Sequence, residues 1–246
     1  MMPIVEQVTV AEIAAQSLAA VRVFEKHGID YCCGGKRPLA EVCRKQGLNP
    51  AAVQAELDAA LAGQATVETD WNRASLTELA AHIVSTHHSY LWRELGAIAT
   101  RLEKVYRVYN QRYGPTLTGL PEVFAGLRSE LEEHMQKEEM ILFPAVKGYE
   151  EAIRNGTAFP PSCFGTVANP IRMMEAEHES AGAALQKIRE ITQDFALPAY
   201  ACVTFRALMS SLAELERDLH LHIHLENNIL FPRAIALESS RAGGGQ

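Results

Sequence analysis

The sequence contains the pattern H-x-x-x-E-x-x-I-L-F-P twice, at residues 134–144 and again at residues 222–232. A histidine and a glutamate four residues apart lie on the same face of an α-helix, so one helix can offer a nitrogen and an oxygen to a shared centre. Imidazole together with carboxylate suits iron, manganese or zinc. The repeated pattern therefore predicts metal binding.

Each histidine–glutamate pair continues a stripe of core residues. Four apolar residues at alternating helical spacing precede each pair, namely Leu120, Phe124, Leu127 and Leu131 in the first and Leu208, Leu212, Leu215 and Leu219 in the second. Ile141 and Ile229 continue the two stripes beyond the glutamates. Such a stripe is typical of a helix in a bundle core. A buried carboxylate without a partner costs several kcal/mol, so we expect a cation beside these glutamates.

Two other helical stripes each carry one histidine among apolar residues. His88 stands between Val84 and Leu91, and His178 stands between Met174 and Ala181. Four helices can converge on one bundle interior. The predicted metal ligands are His88, His134, Glu138, His178, His222 and Glu226. Two carboxylates are enough to bridge two divalent ions, and six ligands leave open positions for chemistry.

The other histidines are weaker candidates. His87 is adjacent to the stripe and is an alternative to His88. His82 is predicted on the surface. His220 and His224 flank His222 but do not lie on its stripe. From there they can contact the ligand residues rather than a metal ion. His27 marks the end of a helix.

The surrounding pattern predicts an all-α protein. A small N-terminal helical domain covers residues 1–65, and a four-helix up-down bundle covers residues 74–238. The long helices are predicted at residues 75–109, 121–147, 170–193 and 198–237, and the short ones at residues 9–27, 38–46 and 50–61. Thr9 and Ser75 are predicted N-caps, the latter with Glu78 in a capping box. Residues 63–73 read as a linker and residues 148–169 as a loop.

Composition narrows the function classes. The chain has 246 residues and a formal net charge of −7, which argues against nucleic acid or an anionic membrane as partner. We find no apolar run of membrane-spanning length and no signal peptide. Five cysteines, an odd number, fit a reducing cytoplasm better than a disulfide scaffold.

Cys32 and Cys33 are adjacent in a glycine-rich turn near Lys36 and Arg37. Positive neighbours lower a thiol pKa, so we expect thiolate character and redox or transfer chemistry at this pair. The alternative is two ordinary thiols in a tight turn. A disulfide between adjacent residues is strained, which argues against a structural bridge. Packing is the better interpretation for Cys43, Cys163 and Cys202.

The sequences HMQKEEMILFP, MEAEHE and HIHLENNILFP, together with GIDYCCGGKRPLAEVC at residues 28–43, resemble the repair-of-iron-centres family, which has a hemerythrin-like domain. The resemblance implies two iron ions held by the four histidines and bridged by Glu138 and Glu226. It further implies a cytoplasmic protein, often a homodimer, that restores iron–sulfur clusters damaged by nitric oxide or peroxide. Some members reduce nitric oxide.

Three functions are compatible with these observations. The first is iron–sulfur cluster repair, with damaged or apo iron–sulfur proteins as partners. The second is a hemerythrin-like carrier or sensor of O₂ or nitric oxide. The third is a hydrolase with two zinc or manganese ions, for which the sequence has no recognisable substrate loop. The N-terminal cysteine turn favours repair, since a carrier has no need of it.

Overall fold

The computed structural model describes residues 7–62, 69–113 and 117–242. Within these ranges the chain is helical and forms no strand, apart from an isolated bridge between Thr9 and Pro38. The all-α prediction is confirmed. None of the helices in these ranges combines the length and the apolarity needed to cross a bilayer.

The chain divides into two compact units. The N-terminal unit combines residues 1–79 with residues 220–246, and the bundle unit comprises residues 80–219. The predicted domain limits at residues 65 and 74 stay a prediction, and most of the predicted linker, residues 63–68, lies outside the described residues.

Residues 7–62 of the N-terminal unit form four short helices, α1 (Val10–Ala14), α2 (Leu18–His27), α3 (Leu39–Lys45) and α4 (Pro50–Ala62). Thr9 caps α1, as predicted. The single helix predicted over residues 9–27 is wrong, because Ser17 adopts an extended backbone and caps α2 with its own side chain. Gly28 ends α2 at a φ of 63°, a conformation that glycine adopts without strain.

The helices of this unit pack around an apolar core that includes Phe24, Tyr31, Leu39, Leu57 and Ile223. Ile223 comes from the C-terminal segment of the chain. In the same segment, the Arg233 guanidinium donates hydrogen bonds to the carbonyls of Trp71 and Ala74. Residues 220–242 are thus an integral part of this unit.

The bundle unit is built on α6 (Ser89–Tyr113), α7 (Leu120–Lys137), α9 (Ala168–Thr192) and α10 (Val203–Leu225), the last of which contributes residues 203–219. Side chains from all four helices form one core. Helix pairs run antiparallel, because residue numbers rise on one partner as they fall on the other. The pairs of contacts are His87–Asp218 with Arg101–Ser211, and Glu130–Ser180 with His134–Glu177. The predicted up-down bundle is confirmed.

Helix boundaries differ from the predictions in places. Ser75 and Glu78 form the predicted capping box ahead of α5 (Leu76–Ile83). The second long helix was predicted to end near residue 147, but α8 (Phe143–Asn155) extends it to the αL residue Gly156. Pro144 does not stop it, because proline is tolerated in the first turn of a helix. The fourth helix begins at Val203 rather than at residue 198.

In the part of the chain that the structure describes, three π-helical turns interrupt the long helices: π1 (Val84–His88), π2 (Glu138–Leu142) and π3 (Glu226–Leu230), the last followed by α11 (Phe231–Ala242). Pro144 lacks the amide N–H that would continue the α pattern beyond π2, and Pro232 stands in the same position after π3. π1 ends at a predicted ligand, and π2 and π3 each begin at one. Such turns occur frequently at functional sites.

Candidate metal centre

His134 projects from α7 into the bundle with 2% of its surface exposed. Its Nδ1 lies 2.8 Å from Glu177 Oε2, and its Nε2 lies 3.0 Å from Nε2 of His178. Donation of the Nδ1 proton to Glu177 leaves the Nε2 lone pair facing the second imidazole. In their neutral forms with the proton on Nδ1, both Nε2 atoms present lone pairs that can bind a cation. The donor set therefore fits a metal ion.

Glu138 follows one turn after His134 and is completely buried. Its Oε2 lies 3.4 Å from Nε2 of His88 and 3.4 Å from Nε2 of His134. Ligand atoms of His134, Glu138 and His178 all lie within 4.8 Å of one another, and the same holds for His88 and Glu138. The carboxylate thus stands between imidazoles of different helices, where it can be shared by two ions.

His88 is completely buried at the end of π1. Its Nδ1 lies 2.8 Å from Glu139 Oε1, and its ring stacks on Phe143 at a centroid distance of 5.8 Å. His87, the alternative, is also buried, but its Nδ1 lies 2.9 Å from Asp218 Oδ1. The two neighbouring imidazoles therefore have different carboxylate partners, and His88 is the one that faces Glu138.

Glu177 and Glu139 hold the Nδ1 atoms of His134 and His88, and sequence analysis missed both. The hydrogen bond from His134 lowers the pKa of Glu177 to about 2, and Lys137 adds to this effect. Metal-binding histidines commonly donate their second N–H to a carboxylate, which fixes the ring and raises its basicity. The sequence did offer one clue to these two glutamates, which is that each is adjacent to a predicted ligand. Glu139 follows Glu138, and Glu177 precedes His178.

Replacing Glu177 with glutamine is expected to weaken metal binding by about ten-fold to a hundred-fold, because the amide orients His134 less strongly than the carboxylate. Competition with a chelator of known affinity measures the change. Glu179→Gln is the matched control, since Glu179 is exposed on the same helix. Equal affinities of the two variants would contradict a role for Glu177 in orienting the ligand.

The second histidine–glutamate pair lies in the N-terminal unit and is also buried. His222 Nε2 is 3.0 Å from Glu226 Oε1, and both side chains are at most 1% exposed. Glu226 begins π3, just as Glu138 begins π2. The two repeats therefore present their histidine and glutamate in the same local conformation.

Comparison with known proteins also indicates cation binding. The profile described as the hemerythrin HHE cation binding domain matches residues 79–234. The chain belongs to the hemerythrin HHE family. Its curated relatives include the iron-sulfur cluster repair proteins YtfE of Dickeya chrysanthemi, 37% identical over 92% of this chain and 96% of the relative, and of Citrobacter koseri, 38% identical over the same shares. The resemblance predicted from the sequence is confirmed.

The N-terminal residues of this hemerythrin HHE family member match a second profile, ScdA_N, described as a domain of unknown function, DUF542, over residues 6–61. This region contains the double-cysteine turn (residues 30–34). Asp30 accepts hydrogen bonds from the backbone N–H groups of Cys32, Cys33 and Gly34, at 2.8–3.1 Å. A single carboxylate thus fixes the turn, a role that composition alone did not reveal.

Cys32 is buried, whereas Cys33 is partly exposed, and their sulfur atoms are 3.7 Å apart. The hydrogen bond with Cys33 and burial raise the pKa of the Cys32 thiol. This direction is opposite to the thiolate character expected from Lys36 and Arg37. The reason is that the Cys32 thiol is buried and lies beside Cys33 and the Asp30 carboxylate.

The remaining histidines in the C-terminal segment face the same turn. The rings of His220 and His224 meet Tyr31 edge-on, at centroid distances of 6.2 and 5.5 Å. Burial lowers the pKa of His224 to about 4, so this imidazole is neutral at physiological pH. His82 is half-buried rather than on the surface, and it meets the His87 ring edge-on. His27 ends α2, as predicted.

Proposed function

We propose that this protein holds two iron ions and repairs damaged iron–sulfur clusters. The observation that carries the proposal is the set of converging donors: His134 and His178 meet through Nε2, His88 and His134 point Nε2 at Glu138, and carboxylates hold the far sides of two rings. A cation fits all these contacts together. Imidazole and carboxylate without a thiolate suit iron.

The proposed site has six ligands, with His222 and Glu226 completing it. Helical register supports this assignment, because α10 is continuous and His222 follows the core residues Leu215 and Leu219 at the same spacing. Glu226 then comes one turn later. The two carboxylates, Glu138 and Glu226, would offset the charge of two ions.

Bound iron would supply electrons and open positions for a small ligand such as nitric oxide or O₂. The chain's own residues hold this centre: the histidines donate nitrogen, Glu138 and Glu226 donate oxygen, and Glu139 and Glu177 orient His88 and His134. Burial of the donors excludes bulk water from the ligand atoms.

Repair is the function that the relatives' names carry, and we extend it to this chain. Partners would be damaged or apo iron–sulfur proteins, and repair would proceed by iron donation, by nitric oxide reduction, or by both. A cytoplasmic homodimer is consistent with the family resemblance. The match to the hemerythrin HHE domain alone also fits a carrier or sensor of O₂ or nitric oxide, but the double-cysteine turn favours repair.

Metal analysis with Mössbauer spectroscopy, on protein purified without a tag or added metal, tests the proposal. We expect two magnetically coupled irons per chain, since Glu138 lies near His88 on one side and near His134 on the other. A single metal per chain would contradict it. Two zinc ions that iron cannot replace would favour the hydrolase.

Replacing both Cys32 and Cys33 with serine is expected to leave iron content and helicity unchanged, because both residues lie in the double-cysteine turn rather than on the bundle stripes. Repair of a damaged cluster protein should fall several-fold if the thiols take part. Cys163→Ser is the control, since Cys163 is exposed and far along the chain. Repair at the wild-type rate would leave the pair with a structural role.

A further inference from the structure

The two H-x-x-x-E repeats differ in the two residues that follow the glutamate. The first repeat has Glu139, which contacts His88, and Met140, which is 76% exposed. The second repeat has Asn227, which is buried, and Asn228, which is partly buried. Two adjacent asparagines stand where the first repeat has a ligand-orienting carboxylate and a solvent-exposed methionine. These two positions of the second repeat therefore have a role other than orienting a ligand.

Both asparagine amides bind the double-cysteine turn. Asn227 Nδ2 donates to the carbonyl of Cys32 at 3.1 Å, and Asn228 Nδ2 donates to the carbonyl of Tyr31 at 2.8 Å. Asn228 Nδ2 also lies 2.7 Å from Nδ1 of His224, which anchors this amide from the other side. Two adjacent side-chain amides thus bind two adjacent backbone carbonyls of the turn.

The residue type follows from the partners. A carbonyl accepts a hydrogen bond, so it needs a donor, which neither an ionised carboxylate nor a methionine supplies. Asp30 already holds the N–H groups of the same turn. The two asparagines therefore bind carbonyl groups of the turn, and the aspartate binds its N–H groups. Cys32 is enclosed within this turn, with only 6% of its surface exposed.

We propose that Asn227 and Asn228 are positioning residues that couple the double-cysteine turn to the ligand pair His222 and Glu226. Glu226, Asn227 and Asn228 belong to one π turn, so a cation that fixes the Glu226 carboxylate also fixes the two amides. The coupling is reciprocal: cation binding restrains access to Cys32, and a released turn weakens the cation site. The inference rests on the proposed function for the identity of the cation.

Anaerobic alkylation with iodoacetamide tests the coupling, with Cys32 modification followed by peptide mass in iron-free and Fe²⁺-loaded protein. In the wild type, iron is expected to slow modification of Cys32 by about ten-fold, within the usual range of coupling between sites. In the Asn227→Leu/Asn228→Leu variant, Cys32 of the iron-free protein should react about ten-fold faster, as expected when two buried carbonyls lose their donors. The effect of iron on this rate should then disappear.

Cys43 is the internal control, because it is completely buried in the core of the same unit and reports unfolding rather than local opening. Its rate should not change. Asn228→Met, which copies Met140 of the first repeat, is the milder variant and should show a smaller effect in the same direction if the double variant unfolds. Met140→Ala should behave as wild type.

A rate of Cys32 modification that iron does not alter in the wild type would overturn the coupling, as would a double variant that retains the wild-type response to iron. Iron analysis of the same samples separates the two failures. Protein that takes up no iron contradicts the proposed function, whereas bound iron with unchanged Cys32 reactivity contradicts only the role of the asparagines.

Discussion

Replacement of Glu138 with leucine is expected to remove most of the bound iron and to raise the melting temperature of the iron-free protein. Glu138 is completely buried, and its carboxylate faces both His88 and His134. Without iron, however, this carboxylate stays buried and has lost its solvation by water. A leucine there matches the stripe of Leu127 and Leu131 and avoids the desolvation cost.

The gain in stability should be about 1–3 kcal/mol, the cost that protein mutational data give for burying a polar group. For a chain of this size each kcal/mol raises the melting temperature by about 2–4 °C. Circular dichroism melts of iron-free protein and iron analysis of protein as purified measure the two effects. His82→Ala should keep its iron, because His82 contacts Thr86 and His87 rather than Glu138. If the Glu138→Leu variant retained its iron, Glu138 would not be a ligand of the site.

Chemical reduction is expected to accelerate iron release to a chelator by at least about ten-fold, which corresponds to about 1.4 kcal/mol. Ferrous iron carries one charge less than ferric iron, so its attraction to the buried carboxylates Glu138 and Glu226 is weaker. A protein that donates iron needs such a trigger, whereas a reversible carrier of O₂ must retain its iron through many cycles. The redox dependence of release therefore separates donor from carrier.

Stopped-flow chelation on the oxidised and reduced protein measures the two rates, with cluster formation on an apo-ferredoxin followed in parallel. Glu226→Leu should accelerate release further, because one of the two carboxylates is then absent. Slow and equal release from both states, together with reversible O₂ or nitric oxide adducts, would contradict iron donation and favour carriage or sensing.

The sequence predicted those parts of the site that depend on regular helical spacing. The four bundle helices, the stripe from Leu120 to Glu138 and the burial of His88, His134 and His178 follow from the 3.6-residue period. Thr9 and Ser75 were identified because capping chemistry is local. The burial of ionisable groups in these stripes was itself the signal of a metal site.

The parts that were missed depend on departures from that spacing or on tertiary contacts. Ile141 was predicted to continue the buried stripe, but it is 42% exposed, and Leu142 is buried in its place. The π turn that begins at Glu138 shifts the buried face by one residue, and a fixed period cannot anticipate this. Glu177 and Asp30 were missed because their roles depend on where the chain folds back, not on their own spacing.

The π turns also have a consequence for how this gene tolerates insertions and deletions. Loss of any one codon from residues 140–142 would keep every proposed ligand and would let π2 revert to an ordinary α turn. The π turn absorbs one residue beyond the regular helical period, so this deletion would leave α8 in its present orientation. Val146, Tyr149 and Ala152 would stay buried. Loss of a second residue would instead rotate α8 by about 100°, the angle that one residue contributes to an α-helix, and would expose them. We therefore expect the loss of one residue between Glu138 and Pro144 to be tolerated far better than the loss of two.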